Sequence, residues 1–252
     1  MKKILYFFLM TILIFQLSVI SAGALTDTVQ QGGSGGGGGS SSTRNKDSKG
    51  MSINTSPVAP EVVYPGKTFV DIEDDKNKTA IEALAQRGII NGVPGDLFLP
   101  ENKVTRGEFA VILSKALSLS GGNQSTFDDV EYSDWFCPYV NAVYDKGIVS
   151  GVSATSFNPH GTITRQEAAN MVANAIKLCG TDTYISEGRV EVVLSAYADK
   201  DTVSNWAKNN VAYCIACNIL DLPDGKIDAT KEVTRSEIAQ IVYDMLILTK
   251  LI

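Results

Sequence analysis

The sequence predicts an all-α fold built from three helix-loop-helix repeats, and three observations carry that prediction. A four-residue corner, Thr-Arg-x-Glu, occurs as Thr105-Arg106-Gly107-Glu108, Thr164-Arg165-Gln166-Glu167 and Thr234-Arg235-Ser236-Glu237. An apolar stripe at helical spacing follows each corner, and a second stripe precedes it across a glycine turn or its worn counterpart. Similar units repeated along a chain must bury their stripes against one another.

The 252 residues, 44% hydrophobic and 20% charged, have the composition of an ordinary globular chain. Lys2-Lys3, the apolar run from Ile4 to Ile20 and the small residues Ser21-Ala22-Gly23-Ala24 form the three parts of a secretory signal peptide over residues 1–24. Left uncleaved, the same run would serve as a membrane anchor. Residues 25–65, with Gly32-Gly33-Ser34, a run of glycines and Ser40-Ser41-Ser42, offer little to bury and read as a disordered tether. A formal charge of −6 excludes the broadly basic surface of a nucleic-acid binder. Cys137, Cys179, Cys214 and Cys217 are too sparse for a small disulfide-stapled domain, although Cys137 and Cys179 bracket the second repeat and are candidates to bond to each other.

The first unit, residues 66–120, opens on Phe69-Val70-Asp71-Ile72. A helix carrying Ile81, Leu84 and Ala85 ends at Gly88-Ile89-Ile90-Asn91-Gly92, Phe98-Leu99-Pro100 follows, and the corner starts a helix carrying Phe109, Ile112, Leu113 and Ala116. The second unit, 121–180, repeats the plan with Phe127-Asp128-Asp129-Val130, Val140, Val143 and Tyr144, Gly147 to Gly151, Phe157-Asn158-Pro159, then Ala168, Met171, Val172 and Ala175. From turn glycine to corner arginine is 18 residues in both. The third, 181–252, is worn: Tyr197-Ala198-Asp199 opens it, Val211, Cys214 and Ile215 form its first stripe, Asn218 stands where the others have Gly88 and Gly147, Leu222 replaces the second glycine, and Ile238, Ile241, Val242 and Met245 close it. Asparagine enters the left-handed region readily, so Asn218 can still end a helix. A short extended pairing is expected in the turns. Whether the units stack openly or close on themselves is not set by this pattern.

Within the corner, Thr and Glu spell a capping box. The arginine is harder to explain, because a cation at the positive end of a helix dipole is unfavourable by a few tenths to about 1 kcal/mol.

Phe-x-Asp-Ile/Val, Gly-Ile-x-x-Gly, Phe-x-Pro and Thr-Arg-x-Glu, recurring in order behind a signal peptide, closely resemble S-layer homology domains from about Phe69 to Met245. The resemblance implies one pseudo-threefold helical unit with grooves between repeats. It also implies a non-enzymatic role, attaching an exported chain non-covalently to a secondary cell-wall polysaccharide, commonly pyruvylated and hence anionic, at the cell surface. It assigns no cofactor. It maps ligand-binding roles onto Arg106, Arg165 and Arg235; onto Asp71, Asp128 or Asp129, and Asp199; onto Trp135 and Trp206; and onto the turn glycines Gly92 and Gly151. At the tryptophan position the first unit has Lys76. The second unit, keeping Arg165, Trp135 and both glycines, is the most complete.

The chemistry suits that ligand: a helix N-terminus offers N–H groups, arginine adds a planar fork for a carboxylate, tryptophan a flat apolar face and aspartate an acceptor for hydroxyls. Each residue also has a structural alternative. The arginines can form ion pairs between repeats, the tryptophans can be core, and Asp71, Asp128 and Asp199 can cap the first helices. An exported scaffold that binds another surface protein is the competing function. Cys214-Ile215-Ala216-Cys217 lacks the remaining ligands of a zinc site, the acidic stretch from Asp221 to Asp228 lacks the spacing of an EF-hand, and His160 has no nucleophile beside it.

Overall fold

A computed structural model describes residues 57–122, 125–222 and 224–252. The expected signal peptide and most of the expected tether lie outside the described residues. The end of that tether is held to the body: the amides of Val63 and Tyr64 both donate to the Gln86 carbonyl, at 2.9 and 2.8 Å.

Seven α-helices are present among the described residues: α1 (Lys78–Gln86), α2 (Arg106–Ala116), α3 (Cys137–Asp145), α4 (Arg165–Leu178), α5 (Glu187–Leu194), α6 (Lys208–Ala216) and α7 (Arg235–Leu248). They contain no β-strand beyond isolated bridges, so the all-α expectation holds. The stripes are buried as the spacing requires, from Ile81 and Leu84 on α1 to Ile238, Val242 and Met245 on α7, with Tyr144 on α3 half-buried. Gly88, Gly147 and Asn218 end α1, α3 and α6 with φ of 67°, 69° and 56°. The worn repeat therefore keeps the left-handed stop with the one common non-glycine residue that tolerates it. A short pairing does occur in the first turn, between Val93 and Leu97.

The units close into a ring. The corner helices α2, α4 and α7 contact one another at the centre, while each first helix packs on the corner helix of the preceding unit: α3 on α2, α6 on α4, and α1 on α7. Just before the corners, the Ile163 amide donates to Val104, Val233 to Ile163 and Val104 to Val233, at 2.9, 3.1 and 3.3 Å. These three residues are fully buried. A cyclic set leaves none of their amides without a partner, whereas an open stack would strand one at its end.

Helix α5 was not anticipated. It lies within the third unit ahead of Tyr197-Ala198-Asp199, packs on α6, and buries Val193 and Leu194. All four cysteines are thiols, so the expected Cys137–Cys179 bond is not made. Cys179 instead lies beside Thr249, just past α7, and Cys137 opens α3 with the Asn141 side chain against it. Burial pushes the Cys214 and Cys217 thiols upward, which suits packing rather than redox chemistry. Among the described residues no helix is long and apolar enough to cross a membrane, and no His, Cys, Asp and Glu cluster could hold a metal.

Candidate functional site

The three corners form capping boxes: Glu108, Glu167 and Glu237 accept the Thr105, Thr164 and Thr234 amides at 2.8, 2.9 and 2.9 Å. The next two helical amides are also occupied. Those of Arg106 and Gly107 donate to Gly161 and Pro159, those of Arg165 and Gln166 to Lys231 and Ala229, and those of Arg235 and Ser236 to Asn102 and Pro100. The expectation of free N–H groups ready for an anion is therefore corrected. Each helix start is capped by the loop of the following repeat in the ring, because burying the central seam would otherwise strand these donors.

The arginines follow the same direction. Arg106, 6% exposed, donates through Nε to the Phe157 carbonyl, through Nη2 to Ser150 and through Nη1 to Glu167, at 2.9, 3.1 and 3.1 Å. Its guanidinium lies 4.9 Å from the Phe157 ring centroid. Arg165, equally buried, donates to the Ile227 carbonyl at 2.6 Å and to Glu237 at 3.1 Å. Burial pulls the Arg106 guanidinium below its usual value, against the opposing pull of Glu167. The dipole penalty is thus met by carbonyls and a carboxylate from the neighbouring repeat.

Arg235 differs. It stacks 4.4 Å from the Phe98 ring centroid and donates through Nε to Phe98 and Nη2 to Asn91, but forms no salt bridge with Glu108, the counterpart of Glu167 and Glu237. Its Nη1 makes no hydrogen bond among the described residues, and the side chain lines a groove of 150 Å³ with Asn91, Glu108, Val111, Ile112, Lys115 and Trp135. Trp135, 62% exposed, sits at the rim. The parts come from three repeats: the arginine from the third, the turn and helix from the first, the tryptophan from the second.

Arg165 and Trp135, one unit in the sequence, therefore serve different grooves. Arg165 lines the groove that contains Lys76. Trp206, 57% exposed, directly precedes the N-cap of α6, which packs on α4, whose Glu167 holds Arg106.

The early aspartates build the loops. Asp71 accepts the Phe98 and Leu99 amides, both at 2.7 Å, and Asp199 those of Ile227 and Asp228. In the second repeat this role belongs to Asp129, which accepts the Phe157 and Asn158 amides, while Asp128 is exposed. The adjacent Asp-Asp pair hid that one-residue register. These carboxylates hold Leu99, Asn158 and Asp228 at positive φ of 59°, 58° and 47°. The capping reading is corrected too, since the first helices are capped at Asn77, Phe136 and Ala207. Gly92 and Gly151 are close-packing positions: a Cβ would fall 2.4 Å from the Phe69 ring at Gly92 and 2.4 Å from the Ser153 carbonyl at Gly151.

Sequence reading missed Lys115. Glu108, Val111, Ile112 and Lys115 recur at i, i+3, i+4 and i+7, which places a charged edge beside the core stripe of α2 and could have marked the groove.

The fold is a helical module of three units with clefts between them. The family model of the S-layer homology domain matches residues 68–110 and 126–169, in the first and second units. Among curated relatives, the exoglucanase XynX of Acetivibrio thermocellus is 32% identical over 187 residues, covering 73% of this chain and 17% of that protein. The surface-layer 125 kDa protein of Lysinibacillus sphaericus is 34% identical over 143 residues, 57% of this chain and 11% of that protein. The S-layer protein Sap of Bacillus anthracis is 27% identical over 188 residues, 73% and 22% of the respective chains. The chain thus spans at most about a fifth of the length of these relatives.

Proposed function

We propose that residues 66–252 form a non-enzymatic cell-wall anchoring module of three S-layer homology repeats. It binds an anionic, pyruvylated secondary cell-wall polysaccharide and holds the exported chain at the cell surface. The observation that carries this reading is the Arg235 groove, where Arg235 and Lys115 face one carboxylate, Glu108, beside the exposed Trp135. A ketal carboxylate would take the open Nη1 of Arg235 and the Lys115 ammonium, and the sugar ring would lie against the indole. By the same repeat relation Trp206 and Arg106 would line a second groove, whose arginine Glu167 already engages. Asp71, Asp129, Asp199, Gly92 and Gly151 act indirectly by shaping the loops.

The relatives support attachment rather than catalysis, because an exoglucanase and two surface-layer proteins share this stretch as a small part of otherwise longer chains. Purified protein should sediment with cell-wall sacculi that retain their polysaccharide and stay in solution with sacculi stripped of it. Equal sedimentation with both would contradict the proposal and favour a protein partner or non-specific adhesion.

A further inference from the structure

The groove lined by Arg165 differs from the Arg235 groove at each of three corresponding positions. The residue before the N-cap of the packed helix is Trp135 in the Arg235 groove and Lys76 in the Arg165 groove. Three residues past the helix-ending Gly88 or Asn218 stand Asn91 and Asp221. Seven residues past the capping glutamate stand Lys115 and Asp244. A flat apolar face, a neutral turn and a cation have become a cation, an acid and an acid.

Across this groove the Lys76 ammonium bonds the Asp221 carboxylate at 2.6 Å. Arg165 is taken by Glu237, which also receives Lys231 at 3.1 Å. The remaining space is 70 Å³, against 150 Å³ in the Arg235 groove. This groove is also the seam between the first and last repeats, where no peptide linker joins the units. Other polar contacts cross the same seam: Asn77 donates to the Ser236 hydroxyl at 2.9 Å, and that hydroxyl donates to Asp75 at 2.8 Å.

We infer that Lys76 and Asp221 seal the Arg165 groove, converting one of the three inter-repeat clefts from a ligand site into a clasp at the ring's seam and leaving the two tryptophan-bearing grooves for the polysaccharide. The inference rests on the anionic-polysaccharide reading above. The pair is exposed and contributes little to stability. Its effect is on access and charge: Asp221 stands where the Arg235 groove has the neutral Asn91, and Lys76 leaves no indole to take the ring.

The test uses tryptophan emission, since the chain has only Trp135 and Trp206. The probe is soluble pyruvylated wall polysaccharide. In the Trp206→Phe protein, Trp135 emission should change saturably. In the Trp135→Phe/Trp206→Phe protein carrying Lys76→Trp and Asp221→Asn, the new indole should respond saturably too, and adding the latter pair of changes to the otherwise unaltered protein should raise the calorimetric stoichiometry by one site. A responding Trp135 beside a silent residue 76 would overturn the seal alone, as would a parent protein that already fills three sites. A silent Trp135 in every titration would overturn the polysaccharide reading and the seal with it.

Discussion

Arg106 and Arg165 each combine a buried guanidinium, neighbouring-repeat carbonyls and a glutamate from the next corner, and these contacts exist only when two repeats are docked. Removing one partner from such a pair leaves the other charge and its carbonyls desolvated and unpaired. Arg106→Ala should therefore destabilise the protein by about 3 kcal/mol, measured by urea unfolding, whereas Trp135→Ala on the exposed rim should leave the midpoint within about 0.5 kcal/mol. The sequence showed that the corner arginine was unusual, because its placement against the dipole has a definite sign. It could not show whether a ligand or a neighbouring repeat answers that charge, since a carboxylate on either one satisfies the same fork. The asymmetry that singles out Arg235, an absent salt bridge to Glu108, depends on side-chain geometry that the shared motif does not encode.

At the level of the loops, the Phe-x-Pro segment is a left-handed residue clamped by an aspartate. Asp71, Asp129 and Asp199 all lie below the usual carboxylate value: burial pushes them up, and the amide hydrogen bonds outweigh it. Groups that bind protons less readily in the folded state lend stability that is complete above their unfolded value of about 4 and is lost as pH falls through the lower folded values. Melting temperature should be flat from about pH 7 to pH 5 and drop below about pH 4. Asp129→Asn, which loses a charged acceptor for two amides and the Ser156 hydroxyl, should cost about 2 kcal/mol at neutral pH and flatten part of the acid limb. The helices themselves were legible from their stripes, their capping boxes and the glycine or asparagine stops, since each signal is local. Helix α5 was not, as its short, half-exposed stretch shows little periodicity and takes its place from α6.

For the whole molecule, the decisive feature is closure of the first repeat onto the last. Helix α1 buries Ala80, Ile81, Leu84 and Ala85, and its packing partner is α7, more than a hundred residues away. A chain ending at Gly180 should therefore fail to fold cooperatively, because it would leave the stripe of α1 in water and an arm of the cyclic hydrogen-bond set unpaired. Circular dichroism melting would show this as a loss of the sharp transition, and a cooperative melt near the parent's would contradict it. Repetition in the sequence announced three similar units, but closure required knowing where each stripe finds its partner. The resemblance pointed to a ring, and the α1–α7 contact supplies its physical basis.

The same closure assembles the groove from all three repeats, so the most direct test addresses the groove alone. Binding to polysaccharide-bearing sacculi should be compared between the parent, Trp135→Ala and Lys115→Glu, with melting temperature recorded for each. Each change should weaken binding by at least about tenfold, equivalent to about 1.4 kcal/mol, at an unchanged melting temperature. Parent-like binding by both variants would contradict the assignment of the Arg235 groove as the site of wall attachment.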